Sequence, residues 1–182
     1  MSDFEHMLRR VVTGDDANGK SIVILDGGPS AHFGAPGLGG LFEIWEDAAS
    51  GTQDTRDRTD LGAGQAVLGP RAGNFQVRWF EVHPIPEGIP RDALNALARD
   101  RFAQMGADKH IIDQTRHPAM HETHTVDVIC LLEGKAKLIL EDGETIIERG
   151  QVVIQRGTNH AWEAIGGPAL FLAVLIDRPF QS

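Results

Sequence analysis

His117 to Gly134 reads HPAMHETHTVDVICLLEG, and Leu138 to Trp162 reads LILEDGETIIERGQVVIQRGTNHAW. Within the second stretch, two apolar runs flank Glu141-Asp142-Gly143-Glu144. An Asp-Gly pair between apolar runs is a strong signal for a tight β-hairpin, because both turn residues tolerate positive φ angles. We therefore predict a β-hairpin here, with polar and titratable side chains near its outer ends.

The first stretch has the alternation of a strand, in which side chains two residues apart share a face. His121, Thr123 and Asp127 would line one side, while His124 would point to the other. The apolar run Val128–Leu132 that follows predicts a strand buried on both faces, with Asp127 at its entrance. A carboxylate in that position must find a partner.

The second stretch repeats this arrangement. Val152–Ile154 is predicted to be a short buried strand, residues 155–159 a turn, and His160 re-enters the core beside Trp162. We predict that two neighbouring strands bring four polar side chains to one cavity: His121, Thr123, Asp127 and His160.

These two stretches resemble the two sequence motifs of the cupin superfamily. The first motif runs His-x-His, three or four residues, Glu, six residues and Gly; its positions hold His121, Thr123, Asp127 and Gly134. The glycines and the histidine of the second motif correspond to Gly150, Gly157 and His160. The detailed resemblance covers roughly the last third of the chain. It implies an all-β fold, a single jelly-roll antiparallel β-barrel with one or two peripheral helices.

In metal-binding cupins, the ligands are the two His and the Glu of the first motif and the His of the second. This sequence keeps His121 and His160, shortens the Glu to Asp127, and has Thr123 in place of the second His. Two His and one carboxylate are chemically adequate for Fe, Zn or Mn with open positions for substrate. The resemblance therefore implies a divalent metal at His121, Asp127 and His160. His117 is a candidate fourth ligand, and an exposed loop histidine is its alternative interpretation.

The length and composition limit the classes of protein that this chain can be. At 182 residues it suits one domain, residues 1–182, with N-terminal strands and loops over 8–83, a peripheral helix over 91–106 and the core motifs over 117–176. A formal net charge of -9 argues against a nucleic-acid partner. A single cysteine, Cys130, excludes an internal disulfide. Because no signal peptide or membrane span is visible, the expected compartment is the cytoplasm.

Two earlier segments also bear on function. Asn74–His83 alternates as a strand, and its Arg78 would reach a ligand in the cavity or else lie on the surface. The segment from Arg91 to Gly106 has apolar residues at helical spacing, which predicts a helix that packs outside the barrel or against a second subunit. By analogy with cupins, we expect a homodimer.

Three functions remain open from the sequence. The first is a metal-dependent enzyme, either a lyase of decarboxylase, dehydratase or isomerase type or an oxygenase, acting on a small organic or aromatic metabolite. The second is metal-free acid–base catalysis, in which Asp127 would raise the pKa of His160. The third is a non-catalytic site for a small ligand. The predicted catalytic residues are His121, Asp127 and His160, and the predicted substrate-binding residues are Thr123, Trp162 and Arg78.

Overall fold

The computed structural model describes residues 2–35 and 37–180, which form eleven strands and one α-helix. The elements in chain order are β1 (Arg10–Asp15), β2 (Ser21–Gly27), β3 (His32–Gly34), β4 (Gly40–Ala48), β5 (Asn74–Val82), α1 (Arg91–Gln104), β6 (Thr125–Glu133), β7 (Lys135–Leu140), β8 (Glu144–Glu148), β9 (Val152–Gln155), β10 (His160–Ala164) and β11 (Ala169–Asp177). No helix in this part of the chain is both long and apolar enough to cross a membrane.

Two antiparallel sheets form the body of the fold. The larger has the order β3-β4-β5-β11-β6-β9, and the smaller has the order β10-β7-β8. His121 adds a short antiparallel bridge to His160 at the free edge of β10. The strands from β5 onward can be renumbered with β5 as strand 1, His121 as strand 2 and β6 to β11 as strands 3 to 8. In this numbering, the larger sheet has the order 1-8-3-6 and the smaller sheet has the order 2-7-4-5. This is the strand order of a jelly roll, so the predicted fold is confirmed. The sheets face each other as a sandwich and are not closed into one barrel.

The predicted hairpin is formed by β7 and β8. Ile139 pairs with Glu144, and the Leu140 amide donates to the carbonyl of Gly143 over 3.1 Å. Gly143 has a φ of 92°, whereas Asp142 does not have a positive φ, so only the second residue of the Asp-Gly pair uses the left-handed region. The motif glycine Gly134 has a φ of 84°, and a Cβ atom there would lie 2.6 Å from the Pro168 carbonyl oxygen. Glycine is therefore needed at this position for both backbone conformation and space.

The core lies between the sheets, where alternate side chains of each strand meet. The inward face of β6 contributes Ile129 and Leu131, which are buried with Trp162 and Phe171. The prediction that β6 is buried on both faces is wrong. Val128 on its outer face is exposed, and the neighbouring β9 exposes Val152 and Ile154, because nothing in the described part of the chain covers this end of the larger sheet.

The long connection between β4 and β5 contains neither strand nor helix, but a buried side chain anchors it. Arg10 on β1 is buried and donates two hydrogen bonds to the carboxylate of Asp60 in the middle of the connection. Arg10 and the Ser30 hydroxyl lower the pKa of Asp60 to about 2. The connection is therefore fixed against the N-terminal hairpin of β1 and β2.

Helix α1 confirms the predicted helix to within two residues at its C-terminal end. It ends in a Schellman motif, in which the Ala107 amide donates to the Phe102 carbonyl and the Gly106 amide to the Ala103 carbonyl. Gly106 has the positive φ of 66° that this motif requires. The apolar side of the helix end places Phe102 and Met105 over the open end of the sandwich. The helix therefore covers a cavity and is not simply packed on the outside.

Candidate functional site

A cavity of about 230 Å³ lies between the two sheets and under helix α1. Its walls are mainly apolar and aromatic, and they include Phe33, Leu41, Phe80, Phe102, Met105 and Trp162. Six of the seven residues that the sequence predicts for the site line this cavity: Arg78, His121, Thr123, Asp127, His160 and Trp162. A concave, largely apolar space with a few convergent polar groups is typical of a small-molecule site.

His121 and His160 form a pair at one side of the cavity. Each backbone amide donates to the other residue's carbonyl over 2.9 Å, and the ring centroids lie 4.5 Å apart. The Nδ1–H of His121 donates to the Ala119 carbonyl, and the Nδ1–H of His160 donates to the Thr158 carbonyl. A neutral imidazole protonated on Nδ1 has a lone pair on Nε2. Both Nε2 atoms are therefore acceptors.

Burial sets the charge of these two histidines. Burial is the main reason that the pKa of His121 is lowered to about 4 and that of His160 to about 3, and the proximity of His121 contributes to the lowering at His160. The expectation that Asp127 raises the pKa of His160 is therefore wrong. The ring neighbours of His160 are His121 and Trp162, and loss of hydration outweighs its hydrogen bonds.

Asp127 enters the cavity from the opposite sheet. It lies on β6, where it pairs with Leu175 and Gln155, so the prediction that it shares a strand pair with His160 is wrong. Burial raises the pKa of Asp127 to about 6, against the Thr125 hydroxyl and the charge of Arg78, which both lower it. Its Oδ1 atom is buried and has no hydrogen-bond partner among the described residues. The pKa of Asp127 thus lies closer to neutrality than the pKa of His121 or of His160.

Arg78 is buried behind this carboxylate and is not the surface residue of the alternative interpretation. Its Nη atoms donate to the carbonyls of Val67 and Leu68, and one of them lies 3.0 Å from a carboxylate oxygen of Glu43. Burial lowers the pKa of Arg78, and Glu43 and Asp127 oppose this effect. Arg78 therefore ties the long connection to the larger sheet, and most of its donors are already engaged.

Thr123 and Trp162 have different surroundings. The hydroxyl of Thr123 is hydrogen-bonded to that of Thr125 over 2.7 Å and is buried. Trp162 packs against Phe171 and Phe80 with centroid distances of 4.8 and 6.3 Å, so it is part of the core and of the cavity wall at once. Sequence reasoning did not select Phe102, whose ring lies 5.1 Å from that of His121, although its place on the apolar side of the helix was a usable signal.

The ligand set that the resemblance implies is assembled only in part. The two imidazoles fit a metal ion, because hydrogen bonds to carbonyls fix their rings and leave Nε2 free. The carboxylate oxygens of Asp127 and the ring nitrogens of the two histidines, however, do not all lie within 4.8 Å of one another. In the described part of the chain, the group that meets this distance consists of Asp3, Glu81 and His83.

His117 is the one predicted site residue that does not line the cavity. It is buried, so the exposed-loop interpretation is wrong, and its Nδ1 accepts a hydrogen bond from the Ala119 amide. Its Nε2 has no partner in residues 2–35 and 37–180. The pKa of His117 is lowered to about 4, mainly by burial and in smaller part by the charges of Arg91 and His121. The structure does not place it as a fourth ligand.

No family model and no curated protein matches this chain. Solved structures do show similarity. A candidate ethanolamine utilization protein Q from Salmonella typhimurium is 11% identical, covering 93% of this chain and 95% of that chain, with a TM-score of 0.41. An RmlC-like cupin family protein with a double-stranded β-helix fold from Methanocaldococcus jannaschii is 13% identical, covering 58% and 72%, with a TM-score of 0.36. A candidate mannose-6-phosphate isomerase from Ralstonia eutropha is 14% identical, covering 57% and 74%, with a TM-score of 0.33. The fold assignment rests on the strand order of the chain itself.

Proposed function

We propose that this protein is an enzyme that binds a small organic molecule in the jelly-roll cavity and transfers a proton through Asp127. The observation that carries the proposal is a buried carboxyl group with an unpartnered oxygen, in an apolar cavity that also contains two neutral imidazoles. A pKa of about 6 supports it, because a general acid or base works best near the ambient pH. The reaction class is an isomerisation, dehydration or decarboxylation.

In this mechanism, Asp127 is the group that exchanges a proton with the substrate. His121 and His160 accept hydrogen bonds from the substrate and hold it in position, since their lowered pKa values make them weak bases. Phe102 on α1 and Met105, the residue that follows α1, exclude water from the helix side of the cavity. The roles of carboxylate and imidazole are therefore the reverse of those expected from the sequence.

Deuterium exchange tests this proposal even while the substrate is unidentified. The protein is incubated in D2O with a mixture of small hydroxy- and keto-substituted aromatic compounds, and NMR follows deuterium incorporation and product formation. We expect turnover by the wild type and a loss of about 100-fold or more in Asp127→Asn. Asp142→Asn, an exposed carboxylate in the hairpin turn, is the control. Equal turnover by Asp127→Asn and the wild type would contradict the proposal.

Metal-dependent chemistry is the second candidate, and the fixed Nε2 atoms of His121 and His160 favour it. Bound Fe, Zn or Mn would supply Lewis-acid or O2 chemistry at this pair. Elemental analysis of untagged protein tests this candidate. We expect about one equivalent of metal in the wild type, loss of the metal in His160→Ala, and retention in His83→Gln. Loss in His83→Gln alone would assign the metal to the group of Asp3, Glu81 and His83 and would remove this candidate.

We also propose that the protein is a homodimer in which a second copy covers the exposed apolar strip of β6 and β9. Exposed apolar side chains on adjacent strands favour association. We expect light scattering after size exclusion to give twice the chain mass, and Ile154→Lys to give the monomer. Ile154 is 56% exposed; Ile146, which is 52% exposed on the other sheet, provides the matched control Ile146→Lys, which should remain dimeric. A monomeric wild type would refute this assembly.

A further inference from the structure

The polar atoms around the cavity are strongly biased toward hydrogen-bond acceptors. His121 and His160 use their only N–H groups on the carbonyls of Ala119 and Thr158 and leave Nε2 as an acceptor. His160 is buried and His121 is half-buried, and their ring centroids lie 4.5 Å apart, so the two Nε2 atoms belong to one side of the cavity. Because the Nδ1–H of each ring is already donated to a backbone carbonyl, the atom that each ring presents to a ligand is the Nε2 acceptor.

The two arginines of the cavity wall have few donors to offer. The Nη atoms of Arg78 are engaged by the carbonyls of Val67 and Leu68 and by Glu43. Its Nε has no partner in the described part of the chain, but this atom is itself buried. Arg101, near the mouth, donates to the carbonyls of Leu38 and Gly39. An anionic ligand would therefore meet two arginines whose Nη atoms are already engaged by protein acceptors, and it would also meet the carboxyl group of Asp127.

The walls and the volume limit the ligand further. Phe80, Phe102 and Trp162 contribute aromatic surfaces, on which a flat ring packs well. The cavity of about 230 Å³ exceeds the roughly 150 Å³ that suffices for benzene in an apolar protein cavity. The space therefore suits one six-membered ring with small substituents.

We propose that the cavity selects an uncharged, single-ring aromatic molecule with two adjacent hydrogen-bond donors, such as vicinal hydroxyl groups, which donate to Nε2 of His121 and Nε2 of His160. This inference rests on the proposed function and names the class of its substrate. Two adjacent donors on one ring can reach both imidazoles because the two rings lie side by side on paired backbone.

Three probes of similar size test this selectivity on the full-length protein, treated with EDTA and kept anaerobic at pH 7.5. Catechol has two adjacent donors, 1,2-difluorobenzene has the same shape without donors, and benzoate is an anion. Calorimetry or ligand-observed NMR gives the three dissociation constants. We expect catechol to bind at least about 10-fold more tightly than 1,2-difluorobenzene, since two hydrogen bonds distinguish them, and benzoate to bind most weakly.

Variants then assign the donors to their acceptors. His121→Leu and His160→Leu should each weaken catechol binding about 10-fold and leave the affinity for 1,2-difluorobenzene within about twofold. His124→Leu, an exposed residue beside the same motif, should change neither. If a variant fails to fold, the comparison of the three probes on the wild type still decides the question.

The outcomes separate this inference from the function on which it rests. Equal affinities for catechol and 1,2-difluorobenzene, or tightest binding of benzoate, would overturn the selectivity while leaving a small-molecule cavity in place. Failure of all three probes to bind at millimolar concentrations would contradict both the selectivity and the proposed function.

Discussion

Acidification from pH 7 to pH 5 is expected to lower the free energy of unfolding by about 4 kcal/mol in the presence of EDTA. Burial lowers the pKa of His117 and His121 to about 4 and that of His160 to about 3. In the unfolded chain a histidine titrates near pH 6.5, so the unfolded state takes up protons first as the pH falls. The stability that these histidines contribute is present above pH 6.5 and is lost toward their folded pKa values.

The size of this effect follows from the linkage between protonation and folding. Each of the three histidines loses slightly under 2 kcal/mol between pH 7 and pH 5, which is about 5.5 kcal/mol together, and Asp127, whose pKa is shifted the other way, returns about 1.3 kcal/mol. Urea unfolding at pH 5, 6 and 7 measures the change. His160→Asn should reduce the loss by about 2 kcal/mol, while the exposed control His124→Asn should not alter it. Stability that is constant over this range would show that the histidines are not buried as described.

Asp127→Asn is expected to stabilise the protein at pH 8 by up to about 3 kcal/mol. The folded pKa of Asp127 is raised to about 6, against about 3.9 in an unfolded chain. The favourable contribution of its protonated form is therefore fully present below about pH 4 and is lost as the pH rises through about 6. Asparagine has nearly the shape of the protonated acid and carries no charge, so it removes the cost of burying the carboxylate.

Thermal and urea unfolding between pH 4 and pH 8 test this prediction. The stabilisation by Asp127→Asn should vanish at pH 4 and reach its full size above pH 7. Asp60→Asn is the control of opposite sign, because Arg10 holds the pKa of Asp60 at about 2 and the substitution breaks that ion pair. It should destabilise the protein at neutral pH. If Asp127→Asn were less stable than the wild type at pH 8, the ionised carboxylate would have a favourable partner in the folded protein, and the prediction would be wrong.

A variant that is more stable and less active would support the catalytic role of Asp127. Groups that are costly to bury persist where function requires them, and their removal commonly increases stability. The stability measurement and the deuterium-exchange measurement on Asp127→Asn are independent, so together they separate a structural carboxylate from a functional one.

The local features of this fold were predictable from the sequence because local rules govern them. Asp142-Gly143 predicted the β7–β8 hairpin, the apolar spacing after Arg91 predicted α1, and the motif residues predicted a jelly roll; all three are confirmed. The sequence also assigned His121, Thr123 and Asp127 to one cavity, which all three line. They do not share one strand face, because His121 bridges to the smaller sheet and Asp127 lies on β6 of the larger sheet.

The wrong predictions share a cause, since each concerns an environment created by residues distant in sequence. The exposed positions considered as alternatives for His117 and Arg78 are wrong, because other elements of the fold bury both side chains. The outer face of β6 looked buried because its sequence is apolar, but burial depends on whether another layer covers that face. Asp127 was assigned to His160 as a neighbour, whereas the two belong to opposite sheets.

Most strands, the β7–β8 turn, the helix and the identity of the polar groups could be read from local sequence, since these depend on backbone preferences and on side-chain periodicity over a few residues. What those polar groups can do depends on how elements distant in sequence pack around them. Packing two sheets and α1 around His121, Asp127 and His160 removes water from them, and this loss of hydration lowers the pKa of the histidines and raises that of the carboxyl group.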